Sequence, residues 1–162
     1  MLTEYEGNYC FPELGINKVG VVILIFDGKG KLFTLKERNN KAETGKVAGQ
    51  IGIPCETSEK GESFGVTFRR GLREELGVNG KLREYFDWST ETYLGFRRFI
   101  PKVFAHVVSV TCNNPEGLYH SCLEDGDGEV VPNGWVKPSD LVKDPNLRVG
   151  VKNILNELLV NK

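Results

Sequence analysis

Little in this chain invites cross-linking, metal clustering or membrane insertion. Its four cysteines (Cys10, Cys55, Cys112, Cys122) form no CxxC pair, and only two histidines, His106 and His120, stand beside them. That spacing offers no zinc-type cluster. Scattered thiols in a chain large enough to build its own core fit a reducing compartment, so a cytoplasmic location is expected. No apolar run approaches the ~20 residues that cross a bilayer; the longest, VGVVILIF, ends at Phe26. Neither sign of charge dominates: 21 basic and 22 acidic residues leave a net charge of −1. A nucleic-acid or membrane-surface role is therefore not expected. Residues 1–17 carry Glu4, Glu6 and Glu13 and no apolar core, unlike a signal peptide. With no repeat and no low-complexity tract, the 162 residues are expected to form a single domain over 1–162.

What is present reads as alternating strands and helices. Residues 18–27 (KVGVVILIFD) are rich in β-branched side chains and stop at Gly28-Lys29-Gly30. Residues 31–38 (KLFTLKER) follow, so the two predict a β-hairpin. A polar loop is expected over 39–45, a short strand over 47–54 and a second polar loop over 55–61. Residues 62–76 place Phe64, Phe68, Leu72 and Leu76 on one helical side, and Gly77 stands where a helix C-cap glycine belongs. Strand character returns over 81–94 and 97–110, with pairing through Leu94-Gly95. Residues 113–128 read as a long polar loop, 129–136 as a return strand and 146–160 as a closing amphipathic helix. The irregular alternation implies an α/β domain with a mixed sheet.

The central helix carries the chemistry. With Leu72 at zero on a helical wheel of about 100° per residue, Phe68 and Leu76 fall within about 40°. Glu74, Gly71 and Glu75 fall at about 200°, 260° and 300°, so two glutamates flank a glycine away from the apolar stripe. Adjacent carboxylates repel unless a cation neutralises them. Mg²⁺ suits such a face, because it takes carboxylate oxygens together with water and phosphate oxygens. A metal held there could polarise a diphosphate and acidify an attacking water. Glu62, at the head of the helix, could join the site or complement the helix dipole.

These residues resemble the box of the Nudix hydrolases. The family pattern runs Gly, five residues, Glu, seven residues, then Arg-Glu-apolar-x-Glu-Glu-x-Gly-apolar. Here Glu62, Arg70, Leu72, Glu74, Glu75, Gly77 and Val78 stand at those spacings. Pro54, Glu59 and Gly61 precede them as in the family, and residues 129–141 (EVVPNGWVKPSDL) resemble its late strand and short helix. The resemblance implies an α/β/α sandwich with a mixed β-sheet. It also implies hydrolysis of the diphosphate linkage of a nucleotide or nucleoside diphosphate derivative with Mg²⁺ or Mn²⁺. Glu74 and Glu75 resemble the metal ligands, Glu62 an accessory acidic ligand, and Arg70 the arginine that orients neighbouring carboxylates. The carbonyl of Cys55 is a further candidate ligand.

The chain departs from the pattern at two places. The Gly-Gly that follows the proline in many members is Cys55-Glu56, and the glutamate expected after Arg70 is Gly71. The general base can come from a late loop in resembling families; Glu124, Asp125, Asp127 and Glu129 are the candidates here, with Glu129 preferred. Lys36 and Arg38 are the candidates for substrate phosphate. Gly71 also motivates an alternative, a catalytically impaired protein that binds a nucleotide or a partner. An isomerase acting on a diphosphate has no supporting Cys and His pattern. Arg97 and Arg98 fit the alternation of a half-buried strand, and His106 a core histidine. Residues 1–17 are a candidate for covering a sheet edge or forming a homodimer.

Overall fold

The computed structural model describes residues 10–79 and 82–160. Residues 1–9, most of the segment considered for an edge cover or a dimer contact, and residue 81, where a strand was expected to begin, lie outside them.

The elements run β1 (Lys18–Phe26), β2 (Leu32–Glu37), β3 (Ile51–Gly52), β4 (Cys55–Thr57), α1 (Phe64–Leu76) and α2 (Leu82–Tyr85). Then follow β5 (Phe86–Ile100), β6 (Val103–Cys112), α3 (Pro115–Asp125), β7 (Val130–Val136), α4 (Pro138–Leu141) and α5 (Val149–Leu155). Among the described residues the strands form one mixed sheet ordered β3-β2-β1-β6-β5, with β4 added on β1 and β7 on β2. β1 runs parallel to β6, and the other pairs are antiparallel.

The run of β-branched residues in β1 follows from its place at the centre. Val21, Ile23 and Ile25 face a core built with Phe64, Phe68, Leu72 and Leu76 of α1 and Leu118 and Cys122 of α3. Val22 and Leu24 face the opposite core, built with Val151, Ile154 and Leu155 of α5. A strand covered on both faces has no polar side to show in its sequence. Each such buried side chain contributes about 1.5–3 kcal/mol. The result is the expected α/β/α sandwich.

One irregularity in the sheet makes the site. β1 and β2 meet at Phe26 and Leu32 and then splay apart. β3 fills the wedge on β2, and β4 fills it on β1, with Glu56 opposite Val21 and Cys55 opposite Val22. Helix α1 is capped at its start by Ser63, whose Oγ accepts from the Val66 N–H at 3.2 Å. It ends at Gly77 in the left-handed region, φ 68°, as a C-cap should.

Several local expectations change, among them the start of the 81–94 strand, since Leu82–Tyr85 is the short helix α2. Residues 113–128 are not a loop: Asn114 caps α3 and Pro115 opens it. Only three of its side chains, Leu118, Ser121 and Cys122, are buried, too few to write an apolar stripe. Cys55–Thr57 is a strand, because the splayed edge of β1 needs a partner for its backbone groups. β5 continues through Gly95, and the chain reverses at Pro101 and Lys102, the latter at φ 69°. The last helix starts at Val149 and finishes in a π-helical turn, Asn156–Val160.

Candidate active site

The α1 face that carries Gly71 and Glu75 is roofed by β4. Glu75 is only 5% exposed, and its Oε1 accepts the Cys55 N–H at 3.0 Å. Burial pushes its carboxyl well above the usual carboxylate range, and the nearby Glu56 and Glu37 push it further. Glu74, one residue back, stays open to solvent with 41% of its side chain exposed. Cys55 meets Glu75 through its backbone. Burial lifts its thiol to about 11, the opposite of a nucleophile's environment.

Arg70 organises the acidic side. Its Nε and Nη2 donate to the two oxygens of Glu62, each at 2.9 Å. Nη2 also donates to the Thr57 carbonyl at 2.6 Å, which ties the helix to β4. Nη1 lies 3.0 Å from Glu56 and 3.4 Å from Glu74. The hydrogen bonds from Arg70 hold the Glu62 carboxyl down at about 2. Both Glu62 oxygens are thus committed to the guanidinium. Glu56 is raised from its ordinary value by burial, against the pull of Arg70, and Glu74 and Glu129 add to the rise. One guanidinium among so many carboxylates leaves a surplus of negative charge.

The basic side comes from distant parts of the chain. Arg148, 2% exposed at the start of α5, places Nη1 3.2 Å from Glu37 Oε1 and donates through Nη2 to the Thr44 carbonyl at 3.0 Å. Lys46 lies 3.2 Å from Glu37 Oε2. Burial works against the charge on Lys46, but Glu37 and its neighbours raise the amine above its usual value. Between the two sides runs a cleft of about 600 Å³ including its open mouth. Its lining combines Glu56, Glu75 and Glu129 with Lys41, Lys46 and Arg148, and Phe99, Phe104 and Ala105 add apolar surface.

The end of α1 also fixes the late acidic segment. The Asp127 N–H donates to the Glu74 carbonyl at 2.7 Å, and the Ser121 hydroxyl to the Leu76 carbonyl at 2.7 Å. Glu129 therefore enters the cleft from a segment pinned to the helix that bears Glu74 and Glu75. Glu124 and Asp125 lie on exposed positions of α3, outside the cleft lining.

A family model, the NUDIX domain, matches residues 16–158. The chain belongs to the Nudix family. Among solved structures it is similar to DR0079 from Deinococcus radiodurans, with a TM-score of 0.65 at 13% identity over 87% of this chain and 82% of the other. It is also similar to a Nudix hydrolase from Nitrosomonas europaea, with a TM-score of 0.59 at 18% identity over 86% and 85% of the two chains. A mutT/nudix family protein from Listeria innocua gives 0.58 at 17% identity over 88% and 91%. At such identities the likeness is one of fold. A comparison with curated protein sequences returns no significant match.

Within this Nudix fold, Glu75, Glu56, Glu129 and Cys55 come together along the cleft, with Glu74 one residue from Glu75. Lys36 and Arg38 do not: both are exposed on or beside β2 and lie outside the cleft lining. Sequence reasoning missed Lys46, Arg148 and Glu37. Arg148 and Glu37 are 111 positions apart, and no local pattern links them. Among the described residues no three His, Cys, Asp or Glu side chains already close around one point. The donor set is oxygen-rich, anionic and partly open, which fits a Mg²⁺-like ion that keeps water and substrate oxygens in its shell.

Among the described residues no helix is long and apolar enough to cross a membrane.

Proposed function

We propose that this Nudix chain is a divalent-metal-dependent hydrolase of the diphosphate linkage in a nucleotide or nucleoside diphosphate derivative. The observation that carries the proposal is Glu75, a buried carboxylate that accepts the Cys55 N–H and lines one cleft together with Glu56, Glu129, Lys46 and Arg148. Burying carboxylates together costs free energy unless a counter-charge enters. Glu74 and Glu75 would hold Mg²⁺ or Mn²⁺, with the Cys55 carbonyl as a third donor. The cation, when bound, supplies neutralisation of the diphosphate and acidification of the attacking water.

The chain's own residues do the rest. Arg70 orients Glu74 and, through Glu62, fixes the head of the helix; Glu62 serves by positioning. Glu129, at the mouth of the cleft on a pinned segment, is the group that takes the proton from water. The anionic substrate meets Lys41 and Lys46 rather than Lys36 and Arg38. The apolar wall of Phe99 and Phe104 suits the organic part of the substrate. A panel of nucleoside triphosphates, dinucleotides and nucleotide sugars, incubated with Mg²⁺ or Mn²⁺ or with chelator, tests this. Metal-dependent release of phosphate or nucleoside monophosphate supports it. Tight ligand binding with no product under any metal would favour the alternative, a protein that binds without hydrolysing.

A further inference from the structure

The two departures from the family pattern touch each other. A Cβ placed on Gly71 would lie 3.0 Å from the Cβ of Glu56 and 3.7 Å from its Cγ. The notch left by glycine on α1 is filled by the stem of a glutamate on β4. The pattern expects glycine at position 56 and glutamate at position 71, and this chain has them exchanged. From the proposed hydrolase site, we infer that Glu56 supplies, from the strand, the carboxylate that the helix lacks at Gly71, and that it is a direct part of the cation-binding set.

Three features support this assignment. Glu56 lines the same cleft as Glu75 and Glu129. Its Oε1 is 3.0 Å from Arg70 Nη1, on the same nitrogen that reaches Glu74 at 3.4 Å, so one guanidinium holds both carboxylates in place. The strand that bears it is brought close by Gly20 of β1, where a Cβ would sit 2.5 Å from the Glu56 carbonyl oxygen. Cys55 and Glu56 take ordinary extended backbone, since Lys102 is the one non-glycine with positive φ among the described residues. A glycine's freedom is not needed at position 56, and a side chain is free to occupy it.

The exchange sets positions 56 and 71 side by side, closer than two ordinary side-chain stems stand. Mn²⁺ binding, followed by the EPR signal of the free ion, tests this on the full chain without any turnover. Glu56→Gln should weaken Mn²⁺ binding by about 10-fold or more. Gly71→Glu alone should lower the melting temperature, because its Cβ would sit 3.0 Å from that of Glu56, tighter than ordinary contact, and its carboxylate would join those of Glu56, Glu74 and Glu75 without a cation to offset it. The reciprocal variant Glu56→Gly/Gly71→Glu should recover both the melting temperature and Mn²⁺ affinity. Wild-type affinity in Glu56→Gln overturns the assignment. So does a reciprocal variant that folds, by circular dichroism, yet binds as weakly as Glu56→Gln. If the reciprocal variant fails to fold, the near-isosteric Glu56→Gln decides alone. Absence of Mn²⁺ binding by the wild-type chain overturns the hydrolase reading as well, whereas normal wild-type binding with unaltered Glu56→Gln binding overturns only the role of Glu56.

Discussion

Glu62 and Arg70 form a two-point ion pair, Nε to Oε2 and Nη2 to Oε1, both at 2.9 Å. A fork of this kind fixes the plane of the guanidinium, which leaves Nη1 aimed at Glu56 and Glu74. Glu62 therefore acts on the site through Arg70.

Removing that carboxylate should leave the Arg70 fork half unpaired. Glu62→Gln is expected to cost about 2 kcal/mol of stability, in the range for hydrogen bonds to a charged group. The folded-state value near 2 lies below the unfolded one of about 4.3. The carboxylate's contribution is thus present above the unfolded value and is lost as pH falls through the folded one. Urea unfolding between pH 5 and about 2 should show a shallower acid loss in the variant than in the wild type.

Arg148 and Glu37 form a buried pair, with side chains 2% and 1% exposed. Arg148→Met removes one partner and leaves Glu37 with Lys46 alone, at a cost of about 3 kcal/mol. Replacing both, as Arg148→Met with Glu37→Met, should recover much of that loss. Urea midpoints of the two singles and the double give the coupling. Additive losses would show that the pair is not coupled.

Gly20 of β1 lies against the Glu56 carbonyl of its partner β4. Gly20→Ala puts a Cβ 2.5 Å from the Glu56 carbonyl, a contact the backbone must move to relieve. A loss of about 2 kcal/mol is expected from such overpacking, together with weaker Mn²⁺ binding. Full retention of both would mean that β4 is not placed by this contact.

The thiols of half-buried Cys55 and buried Cys122, lifted by desolvation to about 11 and about 12, should be alkylated slowly at pH 7.5. Iodoacetamide labelling read by peptide mass should find Cys122 modified only after denaturant is added, and Cys55 modified much faster with denaturant than without. Fast labelling of Cys55 in the native chain would contradict its placement beneath the Arg148 guanidinium, 3.3 Å from its sulfur.

How much of this was legible follows from which forces act locally. The stripe Phe64, Phe68, Leu72 and Leu76 announced α1 and its buried side, because helical periodicity is a property of neighbouring residues. The uniform β1 run likewise announced a central strand. The wheel itself sets Glu75 at about 300°, only about 20° from Phe68, at the edge of the buried side; that β4 packs over this face is a tertiary fact with no local sign. α3 carried a start signal in Asn114-Pro115 but no apolar stripe. The exchange at positions 56 and 71 was visible as two separate departures. Only folding, which sets the stem of Glu56 against Gly71, shows that they are neighbours.

The most direct test of the hydrolase assignment is metal-dependent turnover by the wild-type chain beside Glu75→Gln, on the best substrate from the panel. The substitution removes one charge and keeps the shape, so the Cys55 contact and the fold should persist. Turnover reduced by about 100-fold or more, with an unchanged melting temperature, is the expected result. Equal turnover in the two proteins would contradict a site built on Glu75.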